Sequence, residues 1–275
     1  MKLHTTQRLL VATSIAICAL QGHAADWSDT TLGARTGSTF AEPGINGESI
    51  SKTIYSFTHV SGDKLGRNLV SGDLLQSDGS DPSVGGGGGA QEFYGLYRRS
   101  FSLSKISDKP MGFGPVKDIN LVGRADMQTK NTQFAPRSRK VMTGVSVEFD
   151  VAKGYVEAGL YAYSETNHNG ILGKDVSFDG TYMVDVTWMQ PFNIGIPAAW
   201  RGTFSHTGPK GKDGFNADTK AESRLFTSVM FDIGSKTGLA VGVAAEVWRN
   251  KYGNNDVTTQ GAKQNALQFV AEYHF

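Results

Sequence analysis

The chain has 275 residues, of which 39% are hydrophobic and 34 are glycine, and its formal net charge is +1. Beyond the N-terminal segment no apolar run reaches 18 residues, which excludes a helical membrane protein. The near-neutral charge gives no indication of nucleic-acid binding or of a polybasic membrane contact. A membrane β-barrel is not excluded, because only alternate residues face lipid and the mean hydropathy stays low, here -0.28.

The N-terminus has the organisation of a secretory signal peptide. Lys2 and Arg8 form a basic region, residues 9–20 are apolar, and Gly22-His23-Ala24 places small residues at both cleavage-determining positions. We predict cleavage after Ala24, so that residues 1–24 are the signal peptide. The alternative is an N-terminal helix that stays in the mature fold.

The remaining residues, 25–275, are predicted to form one outer-membrane β-barrel. The only cysteine, Cys18, lies in the predicted signal peptide, so the mature chain has no disulfide although it is exported to an oxidising space. Ile17 precedes this cysteine where a lipoprotein would have a small residue.

The first strands alternate poorly between apolar and polar residues. A loop at residues 76–90 contains five consecutive glycines but no following Lys-Ser or Lys-Thr, so it predicts a flexible loop and not a phosphate-binding loop. Four strands are predicted here, over Thr30–Phe40, Ser51–Val60, Lys64–Leu75 and Glu92–Ile106.

The pattern becomes regular from Ile119 onward. In the sixth predicted strand, for example, Val145 and Val147 lie on one face while Ser146 and Glu148 lie on the other. Each strand in this part has an apolar face and a face rich in Asp, Glu, Arg, Asn, Ser and Thr. Eight strands are predicted, near residues 119–127, 140–151, 155–163, 176–188, 198–207, 224–233, 239–248 and 266–275.

The connections between these strands alternate in length. Tight glycine-marked turns occur at residues 150–154 and 234–238. Longer polar loops separate the other strands, at residues 128–139, 166–175, 208–221 and 250–263. We therefore predict an all-β fold, a transmembrane antiparallel β-barrel of about 12 strands with short periplasmic turns and long extracellular loops. A soluble β-sandwich is the alternative, but one face of every strand is too polar for its core.

The last predicted strand ends on Phe275, and it resembles the assembly signal of outer-membrane barrels. We expect the barrel-assembly machinery to recognise this strand and to insert the protein in the bacterial outer membrane. We also expect a monomer.

Two segments resemble a known family. Ser100-Phe101-Ser102-Leu103-Ser104-Lys105-Ile106 and Gly112-Phe113-Gly114-Pro115-Val116-Lys117-Asp118 are similar to segments of the Tsx-type nucleoside-specific channels. The likeness in organisation covers roughly residues 30–275, whereas the motif matches are confined to about residues 100–118. The resemblance implies a twelve-stranded barrel whose narrow lumen passes nucleosides by passive diffusion, without enzyme activity or cofactor.

The polar strand faces define the residues expected to line this lumen. In the fifth to twelfth strands the acidic residues outnumber the basic ones, which predicts that phosphorylated solutes are repelled. Tyr161, Tyr163 and Trp248 are the candidates for stacking on a nucleobase, although pore filling is the better explanation for each ring taken alone. The predicted polar contacts are Asn120, Arg124, Asp126, Glu157, Asp179, Asp185, Arg201, Arg224 and Glu246.

Other chemistry has little support in the sequence. No two histidines or cysteines have metal-ligand spacing, so no metal site is predicted. Ser164 and His168 lie close in sequence, as in an outer-membrane phospholipase, but a polar loop tip explains them as well. The alternatives to a nucleoside channel are a non-specific porin, a barrel enzyme and a structural or adhesive barrel.

Overall fold

The computed structural model describes residues 25–45, 49–234 and 238–275. The predicted signal peptide, residues 1–24, lies outside this part of the chain. The described residues include a five-residue helix, α1 (Leu103–Ser107), and a short 3-10 helix (Lys251–Gly253). The strands are β1 (Trp27–Phe40), β2 (Ile50–Asp63), β3 (Gly66–Ser77), β4 (Gln91–Ser102), β5 (Val116–Lys130), β6 (Arg137–Phe149), β7 (Tyr155–Asn169), β8 (Lys174–Ser177), β9 (Thr181–Asn193), β10 (Pro197–Thr207), β11 (Glu222–Gly234), β12 (Leu239–Arg249) and β13 (Gln264–His274).

The sheet closes on itself into a barrel. Strands that follow one another in sequence pair antiparallel, and β1 pairs antiparallel with β13, from Thr31 opposite His274 to Thr36 opposite Phe269. The short β8 pairs only with the end of β7, and β7 continues the barrel by pairing with β9. Twelve of the described strands therefore form the closed wall, which confirms the predicted fold.

The outer surface of the wall is apolar. Large side chains such as Leu121, Leu160, Val243 and Phe269 are exposed on one face of their strands, and the residues between them point into the barrel. The faces predicted for the strands from Ile119 onward are confirmed, except at residues 176–179 of the eighth predicted strand. This surface suits lipid, because the closed hydrogen-bond ladders satisfy the backbone and most of the side chains that contact it are apolar. In the described part of the chain, no helix has the length and hydropathy needed to cross a membrane.

The structure corrects two predicted strands. The fourth ends at Ser102, because the Ser102 hydroxyl accepts the Lys105 backbone N–H and starts α1. The eighth is broken into β8 and β9, with Asp179 in the connection between them, where its N–H donates to the Lys210 carbonyl. Neither interruption is visible in the alternation of apolar and polar residues.

The alternation of long and short connections is less strict than predicted. The extracellular connection between β5 and β6 is only residues 131–136, whereas the periplasmic connection between β4 and β5 is residues 103–115. The predicted loop at residues 128–139 is shorter because β5 and β6 pair as far as Thr129 and Arg137.

Leu160→Arg tests the membrane-facing wall. Leu160 lies on the outer face of β7, so arginine there should lower the free energy of unfolding by about 2–4 kcal/mol. Thr203→Arg, at an exposed position on the inner face of β10, is the control and should change it little. Unfolding by guanidinium in lipid vesicles measures both, and equal losses would contradict the assignment of the two faces.

Candidate functional site: the barrel lumen

The lumen brings together eleven of the twelve predicted site residues. They alternate with the lipid-facing residues on β5, β7, β9, β10, β11 and β12. Asp179 is the exception, because it is exposed in the β8–β9 connection and does not line the lumen. Those inside are Asn120, Arg124, Asp126, Glu157, Tyr161, Tyr163, Asp185, Arg201, Arg224, Glu246 and Trp248.

An ion-pair cluster crosses the lumen and joins strands that are not neighbours. Arg67 of β3 donates to Glu148 of β6 at 2.7 Å and to Glu157 of β7 at 2.9 Å. Arg98 of β4 also donates to Glu157, and Ser146 donates a hydrogen bond of 2.5 Å to the same carboxylate. We call Arg67, Arg98, Glu148 and Glu157 the cross-lumen bridge. Its contacts place guanidinium and carboxylate groups in the path of any solute on this side of the barrel.

A second group of charges lies toward the extracellular end. Arg124 donates two hydrogen bonds to Asp126, at 2.8 and 2.7 Å, and Tyr94 donates to the same carboxylate at 2.5 Å. Arg124 Nη1 also lies 3.9 Å from Asp185 Oδ2, and Asp185 accepts the Tyr161 hydroxyl at 2.9 Å. The tyrosine hydroxyls therefore serve to hold the carboxylates in place.

The part of the wall that runs from β3 through β1 and β13 to β10 carries three further arginine–carboxylate pairs. Their side chains belong to β1, β3 and β10–β13, and every guanidinium has a partner. The pairs are Arg35–Asp73 at 2.6 Å, Arg224–Glu246 at 2.8 Å and Arg201–Glu272. Paired in this way, the charges offer hydrogen-bond donors and acceptors side by side and largely cancel each other's field.

The three rings predicted to stack on a base are covered by other side chains. Tyr161 and Tyr163 are 2% and 5% exposed, in a cluster with Val122, Met142 and Met183. The ring of Trp248 lies 4.8 Å from the Arg224 guanidinium carbon and 4.8 Å from Lys251 Nζ. The geometry thus matches the alternative that the sequence left open, in which these rings fill the pore.

Arg35, Arg67 and Arg98 could not be predicted as lumen residues, because the residue pattern of the first four strands does not show which face points inward. Leu69 and Leu75 of β3 share the inner face with Arg67, which removes the polar and apolar alternation of that strand. The positive charges of these three arginines reduce the excess of acidic over basic residues on the inner faces of the fifth to twelfth predicted strands. The expected exclusion of phosphorylated solutes therefore does not follow from the complete lining.

Charged residues of three loops and of the ends of β2 and β5 are buried at the extracellular mouth. Glu42 accepts from Lys52 at 2.5 Å and lies 3.3 Å from Lys130 Nζ and 3.2 Å from Lys251 Nζ. Asp81, also fully buried, is 2.7 Å from Lys130. Burial opposes ionisation of Glu42, but the charges of the three lysines outweigh it and hold its pKa well below its usual range. We call these five residues the mouth cluster, and it ties three extracellular loops together.

The arrangement does not assemble the alternative enzyme site. Ser164 lies on the outer face of β7 and donates weakly, at 3.5 Å, to the Val141 carbonyl, while His168 hydrogen-bonds to Asp175 at 2.6 Å. Residues four apart on a strand are separated by about 13 Å, beyond the reach of a nucleophile and its base. Within residues 25–45, 49–234 and 238–275, no cluster of His, Cys, Asp and Glu could hold a metal ion.

Comparison with known proteins shows a likeness of architecture. No known protein family matches the sequence, and no curated protein is significantly similar to it. The translocator domain of the autotransporter NalP from Neisseria meningitidis is 8% identical, with a TM-score of 0.44, over 99% of this chain and 96% of that one. The NanC porin is 10% identical, with a TM-score of 0.43, over 90% and 99%. OccK5 from Pseudomonas aeruginosa is 11% identical, with a TM-score of 0.30, over 92% and 99%. Likenesses this distant carry no functional argument.

Glu157→Gln tests the cross-lumen bridge. Two arginines then keep their charge without the shared carboxylate, so the lumen should become more permeable to anions. A charge change about 4 Å from a permeating ion is worth about 1 kcal/mol in water-like surroundings, or about fivefold in the chloride-to-potassium permeability ratio. The reversal potential across a planar bilayer under a KCl gradient measures this ratio.

Ser146→Ala is the matched control, because it removes one hydrogen bond to Glu157 without changing a charge. It should leave the ratio unchanged. An unchanged ratio in the Glu157 variant would show that ions do not pass the bridge.

Glu42→Gln tests the mouth cluster. Removing one partner of a buried ion pair costs about 3–5 kcal/mol, so the loops at residues 41–45 and 250–263 should exchange their amide hydrogens faster. Because the folded pKa of Glu42 is depressed, its contribution is fully present above the ordinary value of 4.5 and is lost as the pH falls through the lower folded pKa. Wild-type loops should therefore stay protected from pH 7 to 5 and lose protection in more acidic solution.

Hydrogen–deuterium exchange, corrected for the intrinsic effect of pH, measures this protection. Asp218→Asn is the control, because Asp218 forms an ion pair with Lys212 that is exposed to solvent, and it should change nothing. Equal protection in Glu42→Gln and wild-type protein would show that the mouth cluster does not hold the loops.

Proposed function

We propose that this protein is an outer-membrane channel for the passive diffusion of small polar solutes, and that nucleosides are the solutes it selects. The observation that supports a channel is the closed barrel, whose outer surface is apolar and whose inner surface is lined by hydrogen-bonding groups. Several of these groups remain accessible to water: the side chains of Arg67, Arg201 and Arg224 keep 27%, 33% and 36% exposure. A lumen with such groups can replace part of the hydration shell of a solute without trapping it.

The nucleoside preference rests on two supports. One is the resemblance of residues 100–118 to the Tsx-type channels. The other is the pairing of guanidinium and carboxylate groups, which offers donors and acceptors to ribose hydroxyls and to the edge of a base. Since the predicted stacking rings are covered, hydrogen bonds of about 0.5–1.5 kcal/mol each have to supply the affinity. After the loss of solute freedom, we expect a dissociation constant of about 0.1 mM or weaker.

A non-specific porin is the second candidate, and the covered faces of Tyr161, Tyr163 and Trp248 favour it. Such a porin would pass sugars and nucleosides of similar size alike. Insertion by the barrel-assembly machinery, a monomeric state and the lack of enzyme activity stay predictions.

Single-channel recording with added solutes separates these proposals. Adenosine at millimolar concentration should reduce the conductance in a saturable way, whereas glucose should reduce it only in proportion to viscosity. The double variant Arg201→Gln with Arg224→Gln removes accessible charged donors, so the concentration for half-maximal block should rise roughly tenfold. Ser164→Ala, on the lipid face, is the control and should behave like the wild-type protein.

Each outcome has a distinct meaning. A folded barrel that conducts no current would overturn the channel itself. A channel on which adenosine and glucose act alike would overturn the nucleoside preference and leave the general porin.

A further inference from the structure

The periplasmic connection between β4 and β5 carries more than half of each family-like motif, yet it takes no part in the lumen. It consists of α1 and a turn that is closed at Val116, and we call it, together with the first two residues of β5, the periplasmic foot, residues 103–117. No residue of α1 is buried, and every residue from Lys105 to Pro115 is exposed. An exposed segment of this length at the short-turn end of the barrel needs a physical explanation.

The periplasmic foot is held in one shape from the barrel side. Asp118, buried at the start of β5, accepts the Ser104 N–H at 3.1 Å and the Ser104 hydroxyl at 2.6 Å. The Ser104 hydroxyl oxygen in turn accepts the Met111 N–H at 3.0 Å. Phe113 and Val116 exchange two backbone hydrogen bonds of 2.9 Å, which closes the turn between them. The outward side chains are therefore presented on an ordered backbone.

Most of these outward side chains are apolar or cationic, and Asp108 is the one acidic residue among residues 103–117. Ile106, Met111 and Phe113 are 52%, 41% and 64% exposed, which is unfavourable in water for a preformed turn. Lys109 and Lys117 are exposed as well, and within the described part of the chain neither has a carboxylate within 4.0 Å. Apolar side chains next to unpaired cations are typical of segments that lie at the surface of an anionic membrane.

The apolar surface of the foot continues the surface that faces lipid. Phe101 is opposite Leu121 on the outer face of β4 and β5, and these strands enter and leave the foot directly. The periplasmic turn between β9 and β10 offers a comparison inside the same molecule. Ile194 and Ile196 are exposed there too, but the turn at residues 194–196 contains no charged residue.

We propose that the periplasmic foot docks on anionic phospholipid in the periplasmic leaflet of the outer membrane. Ile106, Met111 and Phe113 enter the boundary between headgroups and acyl chains, and Lys109 and Lys117 contact the phosphates. Asp118 acts as a positioning residue, because it orders the backbone without touching the lipid. This inference is independent of which solute the lumen passes.

Site-specific fluorescence in vesicles tests the proposal. In a Cys18→Ser background, Phe113→Cys carries the only cysteine and can be labelled with an environment-sensitive fluorophore. In phosphatidylcholine vesicles that contain phosphatidylglycerol, the emission should shift to the blue and be quenched by doxyl-labelled lipid. The same label at Val257→Cys, 88% exposed in an extracellular loop, should stay in an aqueous environment.

Substitution of the lysines tests whether their positive charges contribute to the binding of anionic lipid. Lys109→Gln and Lys117→Gln should each weaken the phosphatidylglycerol dependence of quenching at position 113 by about fivefold. Lys212→Gln with Lys220→Gln, exposed at the opposite end of the barrel, is the matched control and should leave it unchanged. The single-channel conductance should be the same in all these variants, so a failed channel proposal would not affect the result.

Two results would overturn the inference. A label at position 113 that stays aqueous in every vesicle would show that the foot faces the periplasm and is open to a soluble partner. Quenching that is independent of phosphatidylglycerol and of both lysines would show apolar contact without recognition of anionic lipid.

Discussion

Backbone hydrogen bonding in a medium without water constrains everything else in this protein. An unpaired N–H or C=O group in hydrocarbon costs several kcal/mol, so a sheet that crosses the membrane cannot keep a free edge. The pairing of β1 with β13 removes both edges at once. Once the edges are gone, the outer face can be entirely apolar and the inner face is free to carry charge. The lipid-facing wall and the polar lumen are therefore two consequences of the same closure.

Closure also determines how the charges of the lumen are arranged. Charged groups enclosed by a barrel have limited water around them, so each is favourable only beside a partner of opposite sign. The cross-lumen bridge meets this requirement with residues from β3, β4, β6 and β7, and the mouth cluster meets it with residues from three loops, β2 and β5. The resulting lumen is rich in dipoles but weak in net field. It suits solutes that form hydrogen bonds better than solutes that depend on a single charge.

The sequence predicts the barrel well and its contacts poorly. Strands such as β6 and β7 were predictable because their period of two is uninterrupted, and the same alternation places Glu157 of β7 and Asp185 of β9 inside the barrel. The inner face of β3 was not predictable, since Leu69 and Leu75 share it with Arg67. The break at Ser102 depends on Asp118, and the mouth cluster joins Glu42 to Lys251 across 209 positions. The contact between Glu42 and Lys251 depends on the closed barrel, whereas the contacts of Asp118 and the covering of Tyr161 depend on the pairing of neighbouring strands.

The seam of the barrel also determines when the fold can be completed. Thr31 and His274, which face each other across it, are separated by 243 positions in sequence. This pairing cannot form until both ends of the chain are in place, and non-local strand pairing is slow compared with the hairpins that form the rest of the barrel. Until β13 pairs with β1, the free edge of β1 can form hydrogen bonds with strands of other molecules. The nascent chain therefore has to be protected at β1 for longer than anywhere else, and a carrier or an assembly factor would act most effectively there.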